Sequence, residues 1–286
     1  LEDRLGREAA RRLWDLSQEA KSLVRALAAE ADLPIRDGIA HACRSNEEVD
    51  HAARMAERLA RDYGYDQVQP LNRAALAALI GSSAYRGGDL DRGAGHLHPL
   101  NLALGLTQAA KAAGARIFEQ SAVRAIHEGA RVTVQTEAGR VAADHVVLAC
   151  NGYLGNLNRQ VAARVMPINN FIVATEPLGG RVDDVLRRDV AVADSRFVVN
   201  YFRLSHDGRL LFGGGESYGY RFPTDIAAKV RRPMTEIFPS LKDVAIDYAW
   251  GGTLAITMKR MPYVSRVAPN ILSASGYLGH GVGTAV

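Results

Sequence analysis

The sequence is poor in cysteine. Only Cys43 and Cys150 occur among 286 residues, far apart and each in an apolar context. There is no CxxC, which removes support for a zinc ribbon or a dithiol redox pair, and no metal site is expected. Two isolated thiols fit a reducing compartment, so a cytoplasmic location is expected. No apolar run approaches the roughly 20 residues that span a bilayer. No secretory pattern opens the chain either, so a membrane partner is not expected. Strong charge of one sign is also missing: 35 Lys and Arg oppose 31 Asp and Glu, a net charge of +4. The arginines are dispersed beside acids rather than gathered in a block with aromatics, which argues against a nucleic-acid surface. Internal repeats and low-complexity linkers are absent.

What is present is apolar and ordered. Hydrophobic residues make up 48% of the chain, enough for a sizeable core in two domains of ordinary size. Apolar positions from Leu5 to Leu27 recur at spacings of three and four, the signature of one long helical face over residues 2–30. This pattern begins at once, so the chain is expected to be part of a longer protein. Residues 38–44 read as a strand. Ser45 and Glu48 form a capping box for a helix that Gly64 closes, and Asn72 caps a shorter helix ending near Gly81. The glycine-rich stretch "GGDLDRGAGHLH" reads as a loop, and Pro99 opens the helix after it. His96 and His98 have no third ligand and are expected to cap that helix.

The stretches "ARIFEQS" and "AVRAIHEG" read as strands, and residues 132–145 as a hairpin turning at Ala138-Gly139. The unbroken run Val146–Cys150 is expected to be a strand covered on both faces. Residues 165–250 are strand-rich, with a hairpin turn at His206-Asp207-Gly208. One helix interrupts them, from Thr224-Asp225 to about Phe238, and Pro233 should strain or break it. The architecture expected is α/β, with two interleaved domains. Strand Ile271–Ala274 returns to the sheet that holds Val146–Cys150.

Two places point to a ligand. "ILSASGYLGHGVG" is a strand, a glycine-rich turn and a helix start, where free backbone N–H groups and the helix dipole favour an electron-rich group. Asn151-Gly152 follows a buried strand directly, the place where open α/β sheets bind ligands. Trp250-Gly251-Gly252 adds backbone without side chains. Taken alone, each glycine could equally serve a tight turn.

The stretches "DRGAGHLHPLNLALGLTQAAKAAGARIFE", "HVVLACNGYLG", "LLFGGGESYGYRFPTDIAAKVRR", "DYAWGGTLAITMKRMPYVSRV" and "ASGYLGHGVG" resemble, in order, the D-amino-acid-oxidase-like superfamily of FAD-dependent oxidoreductases. The resemblance is greatest to gamma-glutamylputrescine oxidase-like members and spans nearly the whole chain. It implies an FAD/NAD(P)-binding-type domain, from residues 1–37, 88–157 and 251–286, interleaved with an antiparallel-sheet α+β substrate domain from 38–87 and 158–250. Cofactor contacts are implied at Val123, Ala149, Asn151, Gly152, Gly252, Gly276, Gly279, His280, Gly281 and Val282. Tyr277 and His280 are candidates beside the reacting centre, and Tyr201, Glu216 and Tyr263 for substrate. The implied reaction is oxidation of an amine C–N bond by hydride transfer to non-covalent FAD, with a small-molecule amine as partner. Alternatives are oxidation of a hydroxy acid, or a cofactor-free, non-enzymatic relative.

The chain departs from the family in three places. No strand–GxGxxG–helix unit occurs in residues 1–100, and the last helix is short, so truncation at both ends is expected. Gly283 stands where relatives acting on N-methyl amino acids carry a basic residue. Ile256 stands near a position that in some relatives holds a flavin-tethering cysteine.

Overall fold

A computed structural model describes residues 1–279 and 281–285. In chain order the elements are α1 (Glu2–Leu5), α2 (Arg7–Glu30), β1 (Arg36–Cys43), α3 (Asn46–Tyr63), β2 (Val68–Asn72), α4 (Arg73–Leu79), β3 (Gly87–His96) and α5 (Pro99–Ala112). Then come β4 (Val123–His127), β5 (Val132–Thr136), β6 (Arg140–Ala143), β7 (Val146–Leu148), α6 (Arg159–Ala162), β8 (Val165–Pro177), β9 (Ala191–Asp194), β10 (Tyr201–Leu204) and β11 (Arg209–Tyr218). The chain continues through α7 (Ile226–Ile237), β12 (Ile246–Thr257), β13 (Tyr263–Ala268), β14 (Ile271–Ser275) and α8 (Gly281–Thr284).

Eight strands form one sheet in the order β12-β8-β11-β10-β9-β1-β3-β2. Neighbours run antiparallel except β1 and β9, which pair in parallel from Ile39↔Ala191 to Ala42↔Asp194. One face of this sheet is dry. Alternate residues Ala40, Phe171, Val173, Phe202 and Phe212 point to it and meet Val230, Met234 and Ile237 of α7, all within a single buried cluster. The Phe202 ring stacks on Phe212 at 5.8 Å and meets Phe238 edge-on at 5.0 Å. Two three-stranded sheets, β13-β14-β7 and β4-β5-β6, share a smaller core around Val132, Leu148, Val161 and Ile271.

The local signals set the helix ends. Ser45 accepts the Glu48 N–H while Glu48 reaches back to Ser45, and Gly64 closes α3 at φ 67°. Asn72 and Asp225 cap α4 and α7 by accepting the Ala75 and Ala228 N–H groups. His98 caps α5, its Nδ1 accepting from the Asn101 N–H at 3.3 Å.

Several expectations are corrected. The glycine-rich stretch is a ten-residue strand, β3, not a loop. Glycine suits it because its neighbours lie so close: a Cβ on Gly88 would sit 1.9 Å from the His41 carbonyl oxygen. β3 and β12 both belong to the eight-stranded sheet, so the boundaries expected at 88 and 251 fall inside that sheet's elements. Residues 115–121 form no strand. Gly6, at φ 82°, splits the first helix. Pro233 does not break α7: Val230, Met234 and Ile237 are buried on either side of it, and that packing outweighs one lost hydrogen bond. β7 lies at a sheet edge with Val147 58% exposed, so it is covered on one face only. His96 does not cap α5; among the described residues its ring nitrogens lack hydrogen-bond partners.

Phe212 is fully buried and stacks on Phe202, so Phe212→Ala should lower stability by about 3–5 kcal/mol in urea unfolding. A loss under about 1 kcal/mol would contradict this account of the core.

Candidate functional site

β7 and β14 run parallel and in register, Ile271↔Val146 through Ser273↔Leu148. Their carboxyl ends therefore open at one place, and two turns leave from it. The first carries Ala149 and a 3₁₀ turn at Asn151–Tyr153; the second carries Gly276 to Gly279. The Asn151 Oδ1 accepts the Gly276 N–H at 3.1 Å and ties the turns together. Asn151 itself adopts φ 44°, a region that asparagine tolerates better than most residues.

The glycines permit close approach. Gly152 is buried, and a Cβ there would lie 2.3 Å from the Thr253 carbonyl oxygen of β12. Gly276 takes φ 79°, and its Cβ would meet the Thr257 methyl at 2.6 Å. Gly252 and Gly279 are different: their nearest neighbours would be Tyr153 Oη and Leu254 Cδ1, each at 3.8 Å. These two leave backbone bordered by open space, as a bound planar group requires. Gly281 begins α8, and Val282 is 41% exposed beside it. Tyr277 is half-buried, and burial raises its hydroxyl above the usual range. His280 lies outside the described residues. Val123 opens β4 in the separate β4-β5-β6 sheet and makes no part of this junction, although it is 37% exposed.

The junction abuts the second face of the eight-stranded sheet. Tyr153 Oη accepts the Thr253 N–H at 2.9 Å and stands over Gly252. Residues in register share a face, so the pairings Glu216↔Asn170 and Gly252↔Asn170 define one row across β11, β8 and β12. The next row runs Asp89, His41, Ala193, Tyr201, Gly213, Ile172 and Trp250. The Tyr201 ring lies over Gly213, where any side chain would collide with it. Its hydroxyl donates to Asn170 Oδ1, and the Asn170 amide donates to the Gly215 carbonyl at 3.1 Å. Burial pushes the Tyr201 hydroxyl up to about 12, so it remains a neutral donor. Glu216 accepts from the Tyr218 hydroxyl at 2.9 Å.

Tyr201 and Glu216 thus occupy adjacent rows beside the junction, Tyr201 bonded to Asn170 and Glu216 in register with it. Tyr263 does not join them. It packs against the smaller core on β13, with its hydroxyl accepting from Ser265 at 2.9 Å. Sequence reasoning missed Asn170 and Tyr153. A polar pair, Asn169-Asn170, inside an apolar strand was a signal for the first; nothing local marks the second.

At the far end of the Tyr201 row, Asp89 and Cys43 both face Nδ1 of His41, at 3.5 and 3.8 Å. The Asp89 carboxylate first, then Cys43, raise the imidazole to about 10. A group whose folded value exceeds the ordinary ~6.5 stabilises the fold fully below that value. The contribution is lost as pH rises through the folded value. Urea stability should therefore fall between about pH 6.5 and about 10 by an increment that Asp89→Asn lacks. Parallel curves for the two proteins would contradict the pairing.

Residues 3–286 match the family model described as FAD dependent oxidoreductase, DAO. The chain is 42% identical over 288 residues to the probable oxidoreductase OrdL of Rhizobium meliloti, covering 98% of this chain and 66% of that protein. It is 35% identical over 289 residues to the gamma-glutamylputrescine oxidoreductase of Escherichia coli, covering 99% and 67%. The chain thus spans about two thirds of the length of these curated relatives. Among solved structures, glycine oxidase from Geobacillus kaustophilus superposes with a TM-score of 0.79 at 20% identity, covering 95% of this chain and 75% of that one. L-proline dehydrogenase from P. horikoshii gives the same score and identity, covering 94% and 75%. The interleaved α/β layout, the paired strand ends and the match along the whole chain agree: this chain belongs to the DAO family of FAD-dependent oxidoreductases.

Proposed function

We propose that the protein oxidises the C–N bond of a small-molecule amine, using FAD held without a covalent bond. The observation that carries this reading is the junction itself: two parallel strand ends locked by Asn151 and Gly276, opening onto a sheet face that presents Glu216 and Tyr201. The likeness to a gamma-glutamylputrescine oxidoreductase supports an amine as substrate.

The open backbone at Gly252 and Gly279 fits a flat cofactor. Ala149, Asn151 and Gly152 would hold its ribose and adenine side, with Val123 contributing backbone further out. Gly276, Gly279, Gly281 and Val282 would border the ring. When bound, FAD supplies a two-electron acceptor for hydride. The protein's part is positioning. Tyr201 is held in place by the hydrogen bond its hydroxyl donates to Asn170. Glu216 is an acceptor for an ammonium group, which favours an amine over a hydroxy acid. The thiols are ill suited to tethering a flavin: Cys43 is buried, and burial raises Cys150.

The full-length holoenzyme, mixed without oxygen with gamma-glutamylputrescine, should lose its yellow colour. Acid precipitation should release all flavin into solution. Glu216→Gln should raise KM for the amine about tenfold, the scale of one charge-assisted hydrogen bond. Bleaching by hydroxy acids but by no amine would overturn the proposal.

A further inference from the structure

The second face of the large sheet carries charge that oxidation at an amine does not use. One row beyond Tyr201, Arg203 stands opposite Leu211 on that face. It is half-buried, and its hydrogen bonding among the described residues is one contact, Nη1 to the Leu204 carbonyl at 3.2 Å. No carboxylate pairs with it among the described residues. Its charged neighbour is another cation, Arg36, which is itself paired with Asp189. Burial and that like charge both work against Arg203's own charge. A desolvated cation without a counter-ion is costly, and an arriving anion removes the cost.

A second observation lies beside it. The His96 side chain is only 8% exposed, and its nearest carboxylate oxygen, on Asp189, is 3.7 Å away. Neither ring nitrogen has a hydrogen-bond partner among the described residues. Burial, then Arg203 and Arg36, push this imidazole down to about 4. It is therefore neutral and leaves polar atoms unspent next to an unpaired guanidinium.

A third cation faces Arg203 across β9. His41 meets Asp89 and Cys43 through Nδ1 alone, which leaves Nε2 for another partner. Between His41 on β1 and Arg203 on β10, the same face of β9 carries only Ala191 and Ala193. Two methyl groups floor a trough two strand spacings wide, roughly 10 Å. Ile39 flanks Ala191 and Tyr201 flanks Ala193 on the same face, so Arg203 and His41 stand at diagonal corners of the trough.

We infer that Arg203 and His41 bind a carboxylate carried by the substrate at the end remote from its amine, over the Ala191–Ala193 floor. Glu216, on β11, lies two strands across from β9 and one row along from Ala193, roughly 12 Å from that end of the floor. The substrate class is then a long, unbranched amine with a distant carboxylate, such as the amide of a diamine with an amino acid side-chain carboxyl. An α-amino acid, whose charges are adjacent, does not reach both places. This inference rests on the amine reading for what happens at Glu216, but not for the anion site itself.

The test uses the FAD-loaded full-length enzyme with three probes: gamma-glutamylputrescine, N-acetylputrescine, which lacks the carboxylate, and glutarate as a bare anion. The wild type should prefer the first amine through KM. Arg203→Met should raise that KM about tenfold to a hundredfold, the range for hydrogen bonds to charged groups, and leave kcat and the KM for N-acetylputrescine unchanged. Arg203→Lys should restore part of the difference. Calorimetry should show glutarate bound by the wild type and weakened by a similar factor in Arg203→Met. His41→Gln, at a half-exposed position, should weaken glutarate in the same direction. Equal KM values for the two amines in the wild type would overturn the inference. So would absent glutarate binding, or binding unaffected by both substitutions. If no amine bleaches the flavin, the amine reading fails by itself, and the glutarate measurements still decide the anion site.

Discussion

The site exists because two sheets meet without side chains between them. Gly152 lies against the Thr253 carbonyl, and the Asn151 side chain holds the Gly276 N–H. Any Cβ at residue 152 would force β12 away from the turn after β7. The carboxyl ends of β7 and β14 would then no longer open onto the face that bears Gly252, Asn170 and Tyr201. This contact is polar as well as close. Tyr153 accepts the Thr253 N–H from the same turn, so the junction satisfies its own backbone while leaving Gly252 uncovered.

The large sheet divides its labour by face. Alternation sends Phe171, Phe202 and Phe212 into a dry core under α7 and sends Asn170, Tyr201 and Arg203 to the other side. The rigid apolar layer fixes where the polar residues point. Asn169 and Asn170 show the same division within two residues. Asn169 is fully buried and links Ser217, Arg221 and Thr253, whereas Asn170 serves Tyr201 on the opposite face.

The sequence made some of this legible. Ser45, Asn72 and Asp225 announced helix starts because capping is local. The turn residues Asn151, Gly152 and Gly276 stood out because each follows an apolar strand directly. β3 was not legible: its glycines look like a loop until β1 is seen pressing on them. Register was equally hidden. That His41, Ala193, Tyr201 and Trp250 lie in one row depends on pairings between strands far apart in the chain. His96 read as a helix cap and Arg203 drew no notice, since neither burial nor a missing counter-ion can be seen in one dimension.

The parallel pairing of β1 with β9 joins two blocks that are otherwise hairpin-built: β1-β3-β2 from the first third of the chain, and β8 to β12 from the rest. Closing that seam demands contacts across about half the sequence, so on loop-closure grounds it forms late. Beyond the ladder, it is clasped by Ser195 reaching Glu48 and Tyr85 reaching Asp194. His41 belongs to one block and Arg203 to the other. An anion held by both would act as a clamp on the last-zipped line of the fold, coupling occupancy of the trough to resistance against local opening.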